Sequence, residues 1–230
     1  MLNINIHKVT LIKILKEIYS DTDLRTLLGF KGGTAAMLFY GLPRFSVDLD
    51  FDLLNEDKKK LVFEKLQDIL SKFGKSDEPF EKYHTLFFLL NYQKRERNLK
   101  VEVSKRESTA AYEIKHYLGI PMMVMQKADM TAGKLAALLT RKRFAARDIF
   151  DLWFFLKENF PINEQIVKDK TGLSLQKALH RAEAIVKDLK GTQLLSGLGD
   201  LLDPKQRVWV KQKLQEELLF LLRFYIASIN

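Results

Sequence analysis

Apolar residues recur at helical spacing near the start of the chain. Leu11, Ile14, Leu15 and Ile18 fall at i, i+3, i+4 and i+7, which predicts an amphipathic helix over residues 5–20. Residues 27–31 read as a short strand running into Gly32-Gly33; residues 34–40 have helical composition, and Gly41-Leu42-Pro43 stops them. The period then changes to two, and residues 46–53 alternate strictly as a strand does. A helix over 56–73 follows, with Leu61, Leu66, Ile69 and Leu70 inward, and then a loop in "SKFGKSDEP". The near-continuous apolar run "HTLFFLLNY", 84–92, predicts a strand buried on both faces; "QKRER" is a turn, and "NLKVEVSKR", 98–106, is a second alternating strand. After Pro121 a brief strand, "MMVM", gives way to helices at 126–141, 146–158, 163–170, 173–190 and 205–229. No Ser/Gly/Pro-rich linker or internal repeat interrupts the chain. The pattern predicts an α/β core over 1–120 and a helical domain over 121–230. The last helix is apolar on more than one side, which predicts burial or an interface.

Composition narrows the class. A hydrophobic content of 47% supplies a core and argues against disorder. The absence of cysteine excludes disulfide scaffolds and thiolate metal sites. The N-terminus lacks a secretory cleavage pattern, and "LLFLLRFYIASI" is too short to span a bilayer, so a soluble cytoplasmic protein is expected, with no membrane partner. The net charge of +9 is uneven: residues 94–150 carry 13 basic and 6 acidic side chains. Such a segment attracts phosphates, although a solvated basic surface has the same composition.

The chemistry-bearing stretch is "FKGGTAAMLFYGLPRFSVDLDFDLL", residues 30–54. Alternation puts Val47, Leu49, Phe51 and Leu53 on one strand face and Asp48, Asp50 and Asp52 on the other. In "LKVEVS" it puts Leu99, Val101 and Val103 inward and Glu102 opposite, between Lys100 and Ser104. If the two strands are neighbours, Glu102 joins Asp48 and Asp50. Two carboxylates about 5 Å apart repel by roughly 3 kcal/mol at an effective dielectric near 20, and a divalent cation removes that penalty. Oxygen-only ligands suit Mg²⁺ or Mn²⁺. A D-x-D pair alone also fits a merely solvated strand face. Gly32-Gly33-Thr34 changes the weighting, because a glycine turn between strand and helix lets backbone N–H groups approach a triphosphate.

These residues carry a resemblance. The "KGGTA…G…R.S.DLDF" form is similar to the opening motif of the DNA polymerase β-like nucleotidyltransferases, and in particular to the AbiEii/AbiGii toxin family of abortive-infection and toxin–antitoxin systems. "GKLAALLTRKRFAARDIFDLWFFL", 133–156, resembles the family's later helical motifs, so the match spans residues 30–156. The resemblance implies an α+β fold: a polymerase β-like domain with a small mixed sheet, followed by a C-terminal helical bundle that completes the active site. It implies metal binding by Asp48, Asp50 and Glu102, with Asp52 left as a solvated or supporting residue. It implies nucleotide contacts from Gly32, Gly33, Thr34, Arg44, Ser46, Lys134, Arg141 and Arg147. It casts Asp148 and Asp151 as completing the catalytic set, one as base or as orienter of Lys134. Ordinary roles stay open for several of these: Arg147 and Asp151, at i and i+4, also suit a helix ion pair, Arg44 and Ser46 also suit a turn, and Lys31 also suits a structural role. Trp153, Phe154 and Phe155 are expected in the core. His84 and His116 have no partner at metal spacing, which argues against His-ligated zinc.

The expected function is transfer of NMP from an NTP to an RNA, with a tRNA 3′ end as the acceptor implied by the resemblance and a separately encoded antitoxin as partner; the chain reads as the toxin component alone. A small-molecule or protein acceptor, or a non-catalytic nucleotide- or RNA-binding module, are the competing readings. Phage defence follows from the abortive-infection resemblance only.

Overall fold

The computed structural model describes residues 3–76, 79–93 and 98–229. The chain divides into two compact units, Met1–Met125 and Gln126–Asn230.

The first unit holds α1 (Ile4–Ser20), α2 (Leu24–Leu27), β1 (Leu28–Lys31), α3 (Gly32–Phe39), β2 (Leu49–Leu53), α4 (Lys59–Ser71), β3 (Lys75–Ser76), β4 (Phe80–Lys82), β5 (Thr85–Asn91), β6 (Leu99–Ser104), β7 (Tyr112–Tyr117) and β8 (Ile120–Met125). A 3-10 turn, Glu56–Lys58, leads into α4. Asn3 caps α1 by accepting from the Ile6 N–H. The mixed sheet has eight strands in the order β3-β5-β6-β2-β1-β8-β7, with β4 paired to β5. β2 lies parallel to β6 and antiparallel to β1, while β1 runs parallel to β8.

Alternation explains the core. Leu49, Phe51 and Leu53 of β2, Leu86, Phe88 and Leu90 of β5, and Leu99, Val101 and Val103 of β6 are all buried. The helices contribute Leu11, Ile14, Leu15 and Ile18 from α1 and Val62, Leu66, Ile69 and Leu70 from α4. Phe63 of α4 meets Phe88 at 5.2 Å between ring centroids, and Tyr19 of α1 meets Phe51 at 6.4 Å.

Several expectations shift. The inward position at the start of α4 is Val62 and not Leu61, because Val62 lies four and seven residues before Leu66 and Ile69 and so shares their face; the helix itself begins three residues later than expected, after a 3-10 turn. β5 is not buried on both faces: Phe87 and Leu89 are half-buried while their neighbours are sealed. The strand expected over 46–53 starts only at Leu49. Side chains take the preceding carbonyls out of the ladder: His7 Nε2 lies 2.9 Å from the Val47 oxygen, and Thr34 Oγ1 donates to that of Asp48 at 2.5 Å. The short α2, β3, β4 and β7 escaped the pattern. β7 pairs with β8 through a tight turn in which Leu118 and Gly119 both have positive φ (50° and 79°), as a two-residue hairpin of this kind requires. Pairing of β8 with β1 carries the first unit to Met125 and not to residue 120. Residues 94–97 of the expected "QKRER" turn and 77–78 of the "SKFGKSDEP" loop lie outside the described residues.

The second unit holds α5 (Lys127–Thr140), α6 (Ala146–Lys157), α7 (Glu164–Thr171), α8 (Leu175–Lys187) and α9 (Pro204–Ser228), with 3-10 turns at Gly191–Gln193 and Gly199–Leu201. Asn163, Ser174 and Asp203 cap α7, α8 and α9, and Pro204 opens α9, where a missing N–H costs nothing. α5 packs on α6, α7 and α8, and α9 on α6 and α8. Trp153, Phe154 and Phe155 are buried. Glu217 of α9 accepts from both indoles, Trp153 at 3.0 Å and Trp209 at 3.3 Å. The broad burial expected of α9 narrows to one stripe, Val210, Leu214, Leu218, Leu222 and Ile226, with Phe220 and Phe224 exposed. No helix among the described residues is long and apolar enough to cross a membrane.

Candidate active site

Sheet register assembles the acidic face of the first unit. Asp50 of β2 stands directly opposite Glu102 of β6, one step from the Leu49–Val101 pair. Asp48, on the same side just before the strand, has its Oδ2 3.5 Å from the Nζ of Lys100. Asp48 is buried and Asp50 partly exposed. Asp52 differs. It is 4% exposed, accepts from Lys31 in an ion pair, and accepts from the Tyr112 hydroxyl at 2.5 Å. It is therefore a sealed structural carboxylate and not a solvated one, and Lys31 is its partner.

The glycine turn is built against this face. Gly32 opens α3 with φ +79°, and a Cβ there would sit 2.3 Å from Asp50 Oδ2. At Gly33 a Cβ would come within 2.7 Å of both Arg44 Nη2 and Ser46 Oγ. Gly32 is required both for its positive φ and for the close approach of Asp50, whereas a side chain at Gly33 would displace the ends of Arg44 and Ser46. Arg44 and Ser46 are buried, and Arg44 Nη1 donates to the Phe45 carbonyl at 2.9 Å. Thr34 is fully buried with its hydroxyl turned to Asp48, which places it beneath the turn. Three short-range features thus meet: a helix N-terminus, a carboxylate pair and a buried guanidinium.

The donor set suits a hard divalent ion, since every candidate ligand is a carboxylate oxygen, and the absence of a Cβ at Gly32 lets the Asp50 carboxylate lie against the turn. Among the described residues, no three acidic or histidine side chains close around a common point. The backbone register puts Asp50 and Glu102 side by side without closing their oxygens into a ligand shell.

In the second unit Lys134 of α5 lies 3.0 Å from Asp148 Oδ1 and 2.8 Å from Asp151 Oδ2 of α6. Both carboxylates are buried, at 1% and 0% side-chain exposure, and the lysine side chain is 16% exposed. Arg141, just past the end of α5, brings Nε to 2.9 Å from Asp148 Oδ2. That is ion-pair distance, but the alignment is poor, and Oδ2 has no hydrogen-bond partner. Arg147 is half-buried in the first turn of α6.

Pattern reading missed three supporting residues. Tyr112 seals Asp52 and lies where a Cβ on Gly29 would be, 2.2 Å from its ring. Lys100 sits against Asp48. Buried His7 reaches the Val47 carbonyl and, through Nδ1, the Tyr92 hydroxyl at 2.7 Å, and so holds the approach to Asp48. Lys100 was on the acidic face from alternation alone; Tyr112 and His7 have no local signal.

Solved structures of two Helicobacter pylori proteins share the fold. One, described as a candidate nucleotidyltransferase, is 22% identical over 97% of this chain and 96% of its own, with a TM-score of 0.63. The other, JHP933, is 22% identical over 100% of this chain and 98% of its own, with a TM-score of 0.60. No curated protein matches at a significant level. The likeness shows a nucleotidyltransferase-type α+β fold with a helical C-terminal part. More specifically, the chain belongs to the AbiEii family, described as nucleotidyl transferase AbiEii toxins of type IV toxin–antitoxin (TA) systems, whose model matches residues 13–217.

Proposed function

We propose that the chain transfers NMP from an NTP to the 3′ hydroxyl of an RNA, with a tRNA end as the acceptor, and that an antitoxin encoded separately restrains it. One observation carries the reading. The Asp50–Glu102 pair sits in register beside a glycine turn that leaves no room for a Cβ against Asp50. Two carboxylates side by side repel each other when alone, and a cation shared with a triphosphate at the helix N-terminus relieves that repulsion.

The division of labour follows from placement. Gly32 and Gly33 expose backbone N–H groups to phosphate oxygens, and Arg44 supplies fixed positive charge behind Gly33. Within the second unit, Asp148 and Asp151 orient Lys134, and Lys134, Arg141 and Arg147 are that unit's basic groups suited to phosphate oxygens. Both acids are tied to the lysine and sealed from water, so they act as its clamp and not as general bases. In the reaction the acceptor oxygen bonds to the α-phosphorus, the α–β bridging bond breaks and pyrophosphate leaves. The hydroxyl proton passes to the Asp48–Asp50–Glu102 face. Asp48, Asp50 and Glu102 would hold Mg²⁺ or Mn²⁺, which supplies charge neutralisation of the phosphates when bound.

The test is incubation with each labelled NTP and total RNA, for the wild type and for Asp48→Asn and Asp50→Asn. Label in the RNA, lost in both variants while they remain folded, is expected. Label in the protein or in a small molecule overturns the RNA acceptor, and full activity in either variant overturns the carboxylate role.

A further inference from the structure

The acidic face does not end at Glu102. Phe87 of β5 is directly opposite Glu102, and Phe80 of β4 is directly opposite Phe87. Across four neighbouring strands the row therefore reads Phe80, Phe87, Glu102, Asp50, and Lys31 of β1 follows on the far side of Asp50. The two rings are stacked, 4.8 Å between centroids at 30°. Lys82 Nζ lies 4.9 Å from each of them. Phe80 is 43% exposed on a three-residue strand whose residues all face water, and Tyr83, in the turn that follows, is 89% exposed. Glu81, between Phe80 and Lys82, is occupied by Lys59 and Lys105, so its charge is matched locally.

Burial does not require this pair, because the opposite sheet face already holds the core residues Leu86, Phe88 and Leu90. With strands about 4.8 Å apart, Phe87 stands about 10 Å from Asp50, the span of a nucleotide or two. Exposed aromatic faces with an adjacent cation are what single-stranded nucleic acid uses for base stacking and phosphate contact.

We propose that Phe80 and Phe87, with Lys82, form a stacking platform for a base of the acceptor strand close to its reacting 3′ end. This rests on the RNA-acceptor reading and adds to it a place on the sheet where the strand is held. A run of phosphates beyond the reacting nucleotide makes use of Lys82 at the outer end of the row, which a mononucleotide at the glycine turn does not need.

The experiment measures binding of a fluorescein-labelled 12-nucleotide single-stranded RNA and, separately, of a fluorescent ATP analogue to the full chain. Phe80→Ala, Phe80→Leu and Phe87→Leu are compared with wild type, with thermal melting as the folding control. RNA affinity is expected to fall roughly 5- to 100-fold, as loss of one base stack does, with ATP-analogue affinity within twofold. In transfer assays KM for RNA rises while kcat at saturating RNA holds. Unchanged RNA affinity in folded variants overturns the proposal and leaves the pair as hairpin packing. Weakened ATP-analogue binding with unchanged RNA binding overturns it in favour of the incoming nucleotide. A wild-type chain that binds no RNA overturns it as well. A wild-type chain that binds RNA but transfers nothing to it defeats the acceptor reading instead, and the binding arm still decides the platform.

Discussion

The acidic residues of the two units are held in opposite ways. In the sheet, Asp50 and Glu102 stand as neighbours of like charge on a face that is partly open, and Lys100 reaches Asp48. In the helical unit, Asp148 and Asp151 are sealed, and Lys134 answers both. Like charges left adjacent on an open face are stabilised by something that arrives. Opposite charges matched inside a bundle are stabilised by one another, and the work they do passes through the lysine they orient. Asp52 shows that this contrast does not follow from strand position: it is two residues from Asp50 on the same face, yet Lys31 and Tyr112 close it off.

Lys134→Met breaks the helical half most severely. It removes the ammonium that two buried carboxylates share, and a loss of about 3–5 kcal/mol is expected by denaturant unfolding. A loss under about 1 kcal/mol would mean the clamp is solvated and the contrast false. Asp50→Asn is the converse: NMP transfer falls on the order of 10²- to 10³-fold while the melting temperature stays within a degree or two. Asp52→Asn separates neighbours on one strand. Stability falls by about 1.5–3 kcal/mol with kcat nearly kept, and a kcat loss matching that of Asp50→Asn would merge the two roles. Gly32→Ala sharpens the turn. Positive φ alone costs about 1–2 kcal/mol, and the clash with Asp50 adds to it. In an Asp50→Gly background, which also removes the Cβ that would lie 2.9 Å away, only the dihedral cost should remain, so equal losses in both backgrounds would rule out contact with Asp50.

The smallest effect concerns pH. Burial raises the Asp21 carboxyl, but hydrogen bonds from the Leu24 N–H and Lys65 outweigh it and leave the group below its ordinary value. A depressed folded-state pKa adds stability above the unfolded value, near 3.9 for aspartate, and that stability is lost as pH falls through the folded one. Lys65→Met should flatten this part of the acid-stability curve, with only a small change at neutral pH because the pair is near the surface.

Much of the molecule was legible before its coordinates. The alternation in "SVDLDFDLL" and "LKVEVS" placed the carboxylates on the side away from the core, and the helices of the second unit fell where their period put them. The short strands β3, β4 and β7 were not legible, because two to six residues carry too little period and their stability comes from partners elsewhere in the chain. The late start of β2 was invisible for the same reason: it depends on His7 and Thr34, which take carbonyls a strand would otherwise use.

By itself the sequence determined which face the side chains of β2 and β6 take and where the helices of the second unit lie, because alternation, helical period and caps are local. Only tertiary structure decided that β6 lies beside β2 with Glu102 opposite Asp50, that Phe87 and Phe80 extend that row, and that Asp52 is closed off while Asp50 is not. Strand neighbours and register are choices among distant segments, settled by the packing of the whole sheet, and no short window of sequence contains that information.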